Sequence, residues 1–427
     1  MGAGEPRLRL TQAEERMLAG AEGNATALAM RVIVAMARVS GARDLIPIER
    51  AHIDGCLYHG PLGVDFAELL ASGGGRVRVP TTLNVSALDL LHPDLILLDQ
   101  PTRDLARRQM DAYVALGCQP TWTCAPYQLP DRPHLGEHVA WAESNAIVFA
   151  NSVLGARTGR YGDFIDICAA LTGRVPNAGL HRDANRHARV VFRLDWLPRE
   201  MADELYGLVG HVVGQESGAL VPAITGLPRS STEDQLKALA AAAASSGAVA
   251  MFHAVGVTPE AATLDVSLGG RQPERSIEIT PERLRQAWNE LSTSDGSRGV
   301  TAVSVGTPHF SMAQLARLDE LLAGRAVHPS IEMYASTGRD TLARSEEGGI
   351  AERLARAGVL VVTDTCTYVT SILRAPRGST VMTDSAKWAW YAPGNLGVEV
   401  VYGSLDDCVE TAVTGRVVRR MPVELNG

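Results

Sequence analysis

Between residues 11 and 40 apolar side chains recur with the 3.6-residue period of a helix: Met17, Leu18 and Ala21, then Ala25, Leu28, Ala29, Val32 and Ile33, with Gly41 near the expected end. The pattern predicts one long helix at the start of the chain. Short extended pieces follow, RVRVP at 76–80 and LILL at 95–98, before a charged helical stretch near 103–115. Polar loops containing Gly and Pro lie around 52–60, 80–86, 121–128 and 136–145. Loops on a rigid scaffold are where function concentrates.

From about residue 187 the grammar is more regular. HARVVFRLDW (187–196) predicts a strand, 200–213 and 232–247 helices, and AVAMFHAV (248–255) a buried strand. A strand and helix over 276–291, a strand at 300–305 with a helix from 311, a strand at 331–335, a helix near 338–357 and a strand at 358–364 complete the series. Strands alternating with helices at this spacing predict an α/β fold with mostly parallel sheets flanked by helices. Ligands in such sheets bind beyond the carboxyl ends of strands. Cys366 follows the strand expected to end near Asp364, so it occupies such a position.

At 427 residues the chain exceeds one ordinary domain. Two lobes are expected, residues 1–195 together with 380–427, and residues 196–379. The hydrophobic fraction is 46% with 21% charge, and no apolar run approaches the roughly 18 residues of a membrane span. The first twenty residues lack the apolar core of a secretory signal and the composition of a transit peptide, which points to the cytoplasm. Net charge is −8 with the 40 basic residues scattered, so no nucleic-acid partner is expected. The six cysteines, at 56, 118, 124, 168, 366 and 408, form no C-x-x-C pair, which argues against a zinc ribbon or a thioredoxin-like site. GGG at 73–75 precedes its strand and reads as a turn, not a dinucleotide fingerprint.

Four stretches look chemical: AHIDGCLYHG (51–60), TCAPY (123–127), AESNA (142–146), and TDTCT (363–367) followed by TDSAK (383–387). Glu143 and Ser144 stand just before an apolar run, so they mark a helix N-terminus, where an anion is favoured and where Ser144 equally serves as a plain cap. Lys387, in an apolar stretch, needs a partner: a substrate carboxylate, or an internal salt bridge to Asp364 or Asp384. Ser385 either hydrogen-bonds a substrate or makes a turn. Arg157 and Arg160 either clamp a carboxylate or sit in a solvated loop. Any one of these thiols, taken alone, reads as a small buried residue.

Taken in order, VPTTLN (79–84), TCAPY (123–127), WAESNAIVFANSVLGART (141–158), LTGRVP (171–176), GLHRDANR (179–186), VTDTC (362–366) and TDSAKWAWYAP (383–393) resemble the signature segments of the aconitase X family over essentially the whole chain. The resemblance implies an aconitase-like multi-lobe α/β body lacking the swivel domain, an iron–sulfur cluster, and a hydro-lyase that dehydrates a small hydroxy acid. It also implies a small swivelling domain that supplies the catalytic base, either fused in the same chain or supplied as a separate subunit, and a separate subunit in a heterodimer is the expectation here. Expelling hydroxide needs a Lewis acid, because hydroxide is a poor leaving group, and thiolates are the usual cluster ligands.

The family's cluster cysteines map onto Cys124 and Cys366. Its third falls in a Gly-Cys-Pro-His segment that reads Gly306-Thr307-Pro308-His309 here. Cys56 is the replacement ligand the resemblance offers, with small-residue packing as its alternative, and the lost cysteine favours a [2Fe-2S] cluster over [3Fe-4S] or [4Fe-4S]. Gly55, Cys56, Leu57, Asn84 and Ser385 are implied as substrate contacts, and Lys387, Glu143 and Ser144 as catalytic residues, with Glu143 available to a ring ammonium. Cys118, Cys168 and Cys408 are expected to pack. The implied reaction is dehydration of cis-3-hydroxy-L-proline to 1-pyrroline-2-carboxylate. Dehydration of mevalonate 5-phosphate, as a large subunit, is the alternative within the family, and a non-catalytic iron–sulfur sensor the alternative outside it.

Overall fold

The computed structural model describes residues 8–198 and 200–425. Four small sheets carry the chain, and three of them are wholly parallel. The first parallel sheet orders Thr81–Leu83, Arg50–Ile53 and Val139–Trp141; the second orders His253–Ala254, Pro222–Thr225, Val190–Arg193 and Arg275–Glu278. The third has five strands, in the order Val359–Val362, Glu332–Thr337, Ala302–Phe310, Thr380–Thr383 and Glu399–Tyr402. An antiparallel pair, Leu45–Pro47 with Arg174–Pro176, closes one edge of the N-terminal part.

The α/β expectation holds, as does most of its second half. The lobe boundary drawn at 379/380 does not. Val381 and Met382 pair with Ala302 and Val303, so residues 380–402 complete the sheet begun at 302 instead of returning to the N-terminal part. The opening helix is two, Gln12–Leu18 and Asn24–Val39, parted where Gly20 and Gly23 adopt φ of 86° and 97°. The stretch near 338–357 splits likewise, into Arg339–Glu347 and Ile350–Ala357, with Gly349 left-handed between them. Residues 76–80 and 95–98 are not strands, and only His253–Ala254 of 248–255 pairs. Val77 and Val79 are half-buried and Leu97 is exposed, so these apolar runs lie against the core without a ladder partner, a distinction that apolar composition does not encode.

One long cluster of buried apolar residues runs from Met17 to Leu425, with a second beneath the five-stranded sheet. Strand ends from the first and third sheets converge where the loops after Leu83, Trp141 and Val362 meet the register shift that follows Val305 in Ala302–Phe310. Among the described residues no helix is long and apolar enough to cross a membrane.

Candidate active site

A cavity of about 240 Å³ lies at this convergence, with Asp54, Leu57, Asn84, Cys124, Glu143, Ser144, Thr307, Cys366 and Lys387 in its wall. Segments separated by up to 333 positions are thereby brought together, and most of the sequence-derived candidates stand on one surface. A larger cavity, about 450 Å³, lies on the far side of Thr307 and Lys387 and includes Ser385. Its volume exceeds that of the smaller one, but both candidate thiols and the Glu143 carboxylate line only the smaller, which is therefore the site.

The two thiols are buried against each other and Val85. Cys124 accepts the His309 backbone N–H at 3.3 Å, and Cys366 lies 3.6 Å from the Thr307 hydroxyl. Burial pushes both thiols up from their ordinary range, Cys366 adding to the effect on Cys124, while the Lys387 charge opposes it. They rest as neutral thiols, which lose their protons to solvent on binding a metal. Both follow strained turns. Trp122 and Asp364, each two residues before its cysteine, have φ of 44° and 59°, in the left-handed region that non-glycine residues avoid. Thr307 is placed by Gly306: its φ is 86°, and a Cβ would stand 2.3 Å from the Ser336 carbonyl, so only glycine fits.

Glu143 caps the short helix Ser144–Phe149 by accepting the Ala146 N–H at 2.7 Å, so the cap falls one residue before Ser144. Its carboxylate also accepts from Asn145 Nδ2 and, at 2.5 Å, from Lys387 Nζ. The partner of Lys387 is therefore neither Asp364 nor Asp384; Asp364 is taken by a bidentate pair with Arg339. Burial works against the Lys387 charge, but Glu143 outweighs it and holds the amine well above its ordinary value. With Ala146, Asn145, Lys387 and, at 3.4 Å, Ser144 already donating to its carboxylate, Glu143 is less open to a ring ammonium than the sequence alone implies. Ser385 caps Ala386–Leu396, which carries Lys387, by accepting the Trp388 N–H at 3.1 Å, and lies outside the smaller cavity.

Cys56 is not brought to the two thiols. Its side chain is fully buried and directed at the Ile53 and Asn84 carbonyls, 3.3 and 3.2 Å away, and among the described residues no group of three or more His, Cys, Asp or Glu side chains is gathered as a metal site. Gly55 is packed under Tyr113, its N–H bonded to Asp166, and does not line the cavity. Arg157 pairs with Asp183 and bonds the His181 carbonyl, while Arg160 reaches the Ala244 and Gly247 carbonyls; neither lines the cavity. Cys118, Cys168 and Cys408 are buried.

Three functional positions escaped the sequence reading. Asp54 lines the cavity and accepts from Asn84 Nδ2; burial, then Glu143, raises its carboxyl to about 8. Asp166 accepts the Asp54 and Gly55 N–H groups at 2.7 and 3.1 Å and so shapes the 54–57 turn; burial raises it to about 7. His309 is fully buried, and burial lowers it to about 4, so its ring is neutral. Asp54 and His309 stood inside quoted segments. A buried acid that binds backbone amides, as Asp166 does from inside Ile165–Thr172, leaves no pattern in sequence.

Parallel α/β sheets meeting over a pocket with two buried thiols and a buried Lys–Glu pair define the body of an aconitase-type enzyme. Family models for the aconitase X first, second and third domains match residues 7–184, 188–289 and 300–414. The chain belongs to the aconitase X family. It is 45% identical to a cis-3-hydroxy-L-proline dehydratase of Pseudomonas aeruginosa over 98% of this chain and 72% of that protein. It is 36% identical to the phosphomevalonate dehydratase large subunit of Methanosarcina mazei over 95% of this chain and 98% of that one. The crystal structure of holo-form aconitase X from Thermococcus kodakaraensis superposes with a TM-score of 0.85 at 30% identity, covering 95% of this chain and all of that one. With dehydratases on both sides of it, the chain is a hydro-lyase.

Proposed function

We propose that the chain dehydrates cis-3-hydroxy-L-proline to 1-pyrroline-2-carboxylate, the enamine first formed tautomerising to the imine. The observation that carries this reading is the charge of the cavity wall: Lys387 is its sole Lys or Arg, already paired with Glu143, and Asp54 is close by. A dianionic phosphate needs converging cations or a set of free donors. A small zwitterion needs one cation for its carboxylate and an acceptor for its ammonium. The greater likeness to the hydroxyproline enzyme, 45% against 36%, supports the same choice.

Cys124 and Cys366 fit as thiolate ligands of an iron–sulfur cluster: they are buried in one cluster with Val85, both face the cavity, and the Thr307 hydroxyl occupies the position next to Cys366. When bound, the cluster supplies the Lewis acid that departure of hydroxide requires, and the absent third thiol favours the two-iron form. Lys387 orients the substrate carboxylate with the Ser144 hydroxyl beside it. Asn84, whose Oδ1 is buried without a protein partner, accepts from the substrate. Asp54, its carboxyl raised to about 8 by burial and by Glu143, serves the cavity as a hydrogen-bonding group, and the base for the proton at C2 is assigned to another chain. That base comes from a small swivelling subunit of the cytoplasmic heterodimer.

The test is to co-produce the chain anaerobically with a small aconitase X subunit, measure iron and sulfide, and assay both substrates. Turnover of cis-3-hydroxy-L-proline is expected; turnover of mevalonate 5-phosphate alone overturns the reading.

A further inference from the structure

We infer that His309 is a positioning residue: one imidazole ring ties together the two turns that carry Cys124 and Cys366, and so sets how the thiols face each other. The turns are built alike. Trp122, Thr123 and Cys124 form one, Asp364, Thr365 and Cys366 the other, and each starts with a left-handed non-glycine residue, at φ 44° and 59°. A left-handed backbone is unfavourable for a residue with a Cβ, so the conformation persists only where its surroundings over-determine it.

His309 bonds the middle residue of both. Its Nδ1 lies 3.1 Å from Thr123 Oγ1 and its Nε2 3.4 Å from the Thr365 carbonyl. A carbonyl only accepts, so Nε2 carries the proton, and Nδ1 then accepts from the Thr123 hydroxyl. That hydroxyl oxygen in turn accepts the Ala125 N–H at 3.1 Å, which gives every atom of the chain a single direction. The His309 backbone is fixed as well. Its N–H donates to Cys124 Sγ at 3.3 Å, and its carbonyl accepts from Lys237 Nζ and Gln128 Nε2, both at 3.2 Å. The ring does not line the cavity, so it acts through the thiols and not on the substrate.

The inference rests on the reading that Cys124 and Cys366 hold the cluster. Groups that orient metal ligands typically carry 10- to 100-fold in metal affinity, and hydrogen bonds to ligand sulfurs tune cluster potentials. Thr123→Val keeps the side-chain shape and removes the hydroxyl that both His309 Nδ1 and the Ala125 N–H use; Thr123→Ser restores it. His309→Ala removes both arms, and Thr123→Val decides the matter should that variant not fold.

Full-length protein and variants are reconstituted anaerobically with iron and sulfide, and four quantities are read: iron per chain, iron loss to a chelator, midpoint potential, and melting temperature of the apoprotein. Apoprotein capture of phenylarsine oxide, which bridges two adjacent thiols, reports the pair without iron, with Cys124→Ala as control. Expected for Thr123→Val is an apoprotein melting within a few degrees of the parent, iron lost about 10-fold faster or more, a shifted potential and slowed arsenical capture, all restored in Thr123→Ser. Parent-like iron retention, potential and capture in Thr123→Val overturn the brace, as do losses that merely track the melting temperature and do not return with serine. A parent that takes up no iron overturns the cluster reading instead, and the brace then stands or falls on arsenical capture alone.

Discussion

Lys387 Nζ lies 2.5 Å from Glu143 Oε1, with the two side chains 3% and 6% exposed, across 244 positions of sequence. Charges this deep are stable only as a pair, and removing one partner leaves the other uncompensated, at a cost of about 3–5 kcal/mol. Lys387→Met and Glu143→Gln are each expected to destabilise the protein by that order in urea unfolding. The double variant is expected to recover most of it, because neither charge is then buried alone. Activity returns in none of them: loss of the one Lys or Arg among the described residues of the cavity wall lowers turnover by about 10²-fold or more, by analogy with removal of a preorganised donor. Recovery of activity in the double variant would show the pair to be structural.

Cys56 separates what sequence implies from what geometry allows. Its thiol faces the Ile53 and Asn84 carbonyls and not the cavity, so Cys56→Ala is expected to keep the parent's iron content and visible spectrum. Cys124→Ala and Cys366→Ala are expected to lose both. The measurement is iron and sulfide per chain after anaerobic reconstitution, and a Cys56→Ala protein without iron returns Cys56 to the ligand set.

Asp166 holds the 54–57 turn through two backbone N–H groups, and its carboxyl is raised by burial to about 7 from an unfolded value near 3.8. Asp54, raised to about 8, behaves alike. The sign follows from proton binding: the folded state holds these protons where the unfolded chain has released them. Their contribution to stability is complete below pH 4 and is lost as pH rises through about 7 to 8. Urea midpoints measured from pH 5 to 8 are expected to fall on this account, and Asp166→Asn to flatten the fall. Asp166→Ala strands two buried donors, each worth about 1–3 kcal/mol. A pH dependence unchanged in Asp166→Asn would place the titration elsewhere.

Most strands and helices from 187 onward could be read from periodicity because strands such as Val190–Arg193 and Ala302–Phe310 are buried along nearly their whole length in parallel sheets. The lobe boundary could not, since the pairing of Val381 with Ala302 is a contact 79 positions apart that no local pattern encodes. The site divides the same way. Cys124, Glu143, Ser144, Cys366 and Lys387 carry uncommon chemistry in apolar surroundings and stand out. Asp166 acts through backbone N–H groups, and His309 through one carbonyl and a hydroxyl 186 positions away, partners that leave no local mark on the sequence.

Thr307 offers the sharpest test of the site. Its hydroxyl lies 3.6 Å from Cys366 Sγ in the wall of the cavity, at the residue where the family pattern places a cysteine, and Gly306 fixes its backbone. Thr307→Cys puts a third thiol there with little change in volume, so the fold and melting temperature are expected to hold. Three thiols around one cavity favour a cluster of higher nuclearity than two. The expected outcome is a rise in iron and sulfide per chain above the parent, with a changed low-temperature paramagnetic resonance spectrum of the reduced protein. Thr307→Val, which offers no third donor, is expected to keep the parent's iron content. If Thr307→Cys reconstitutes with the parent's iron content and spectrum, the ligand position lies elsewhere and the replaced cysteine is no guide to the cluster.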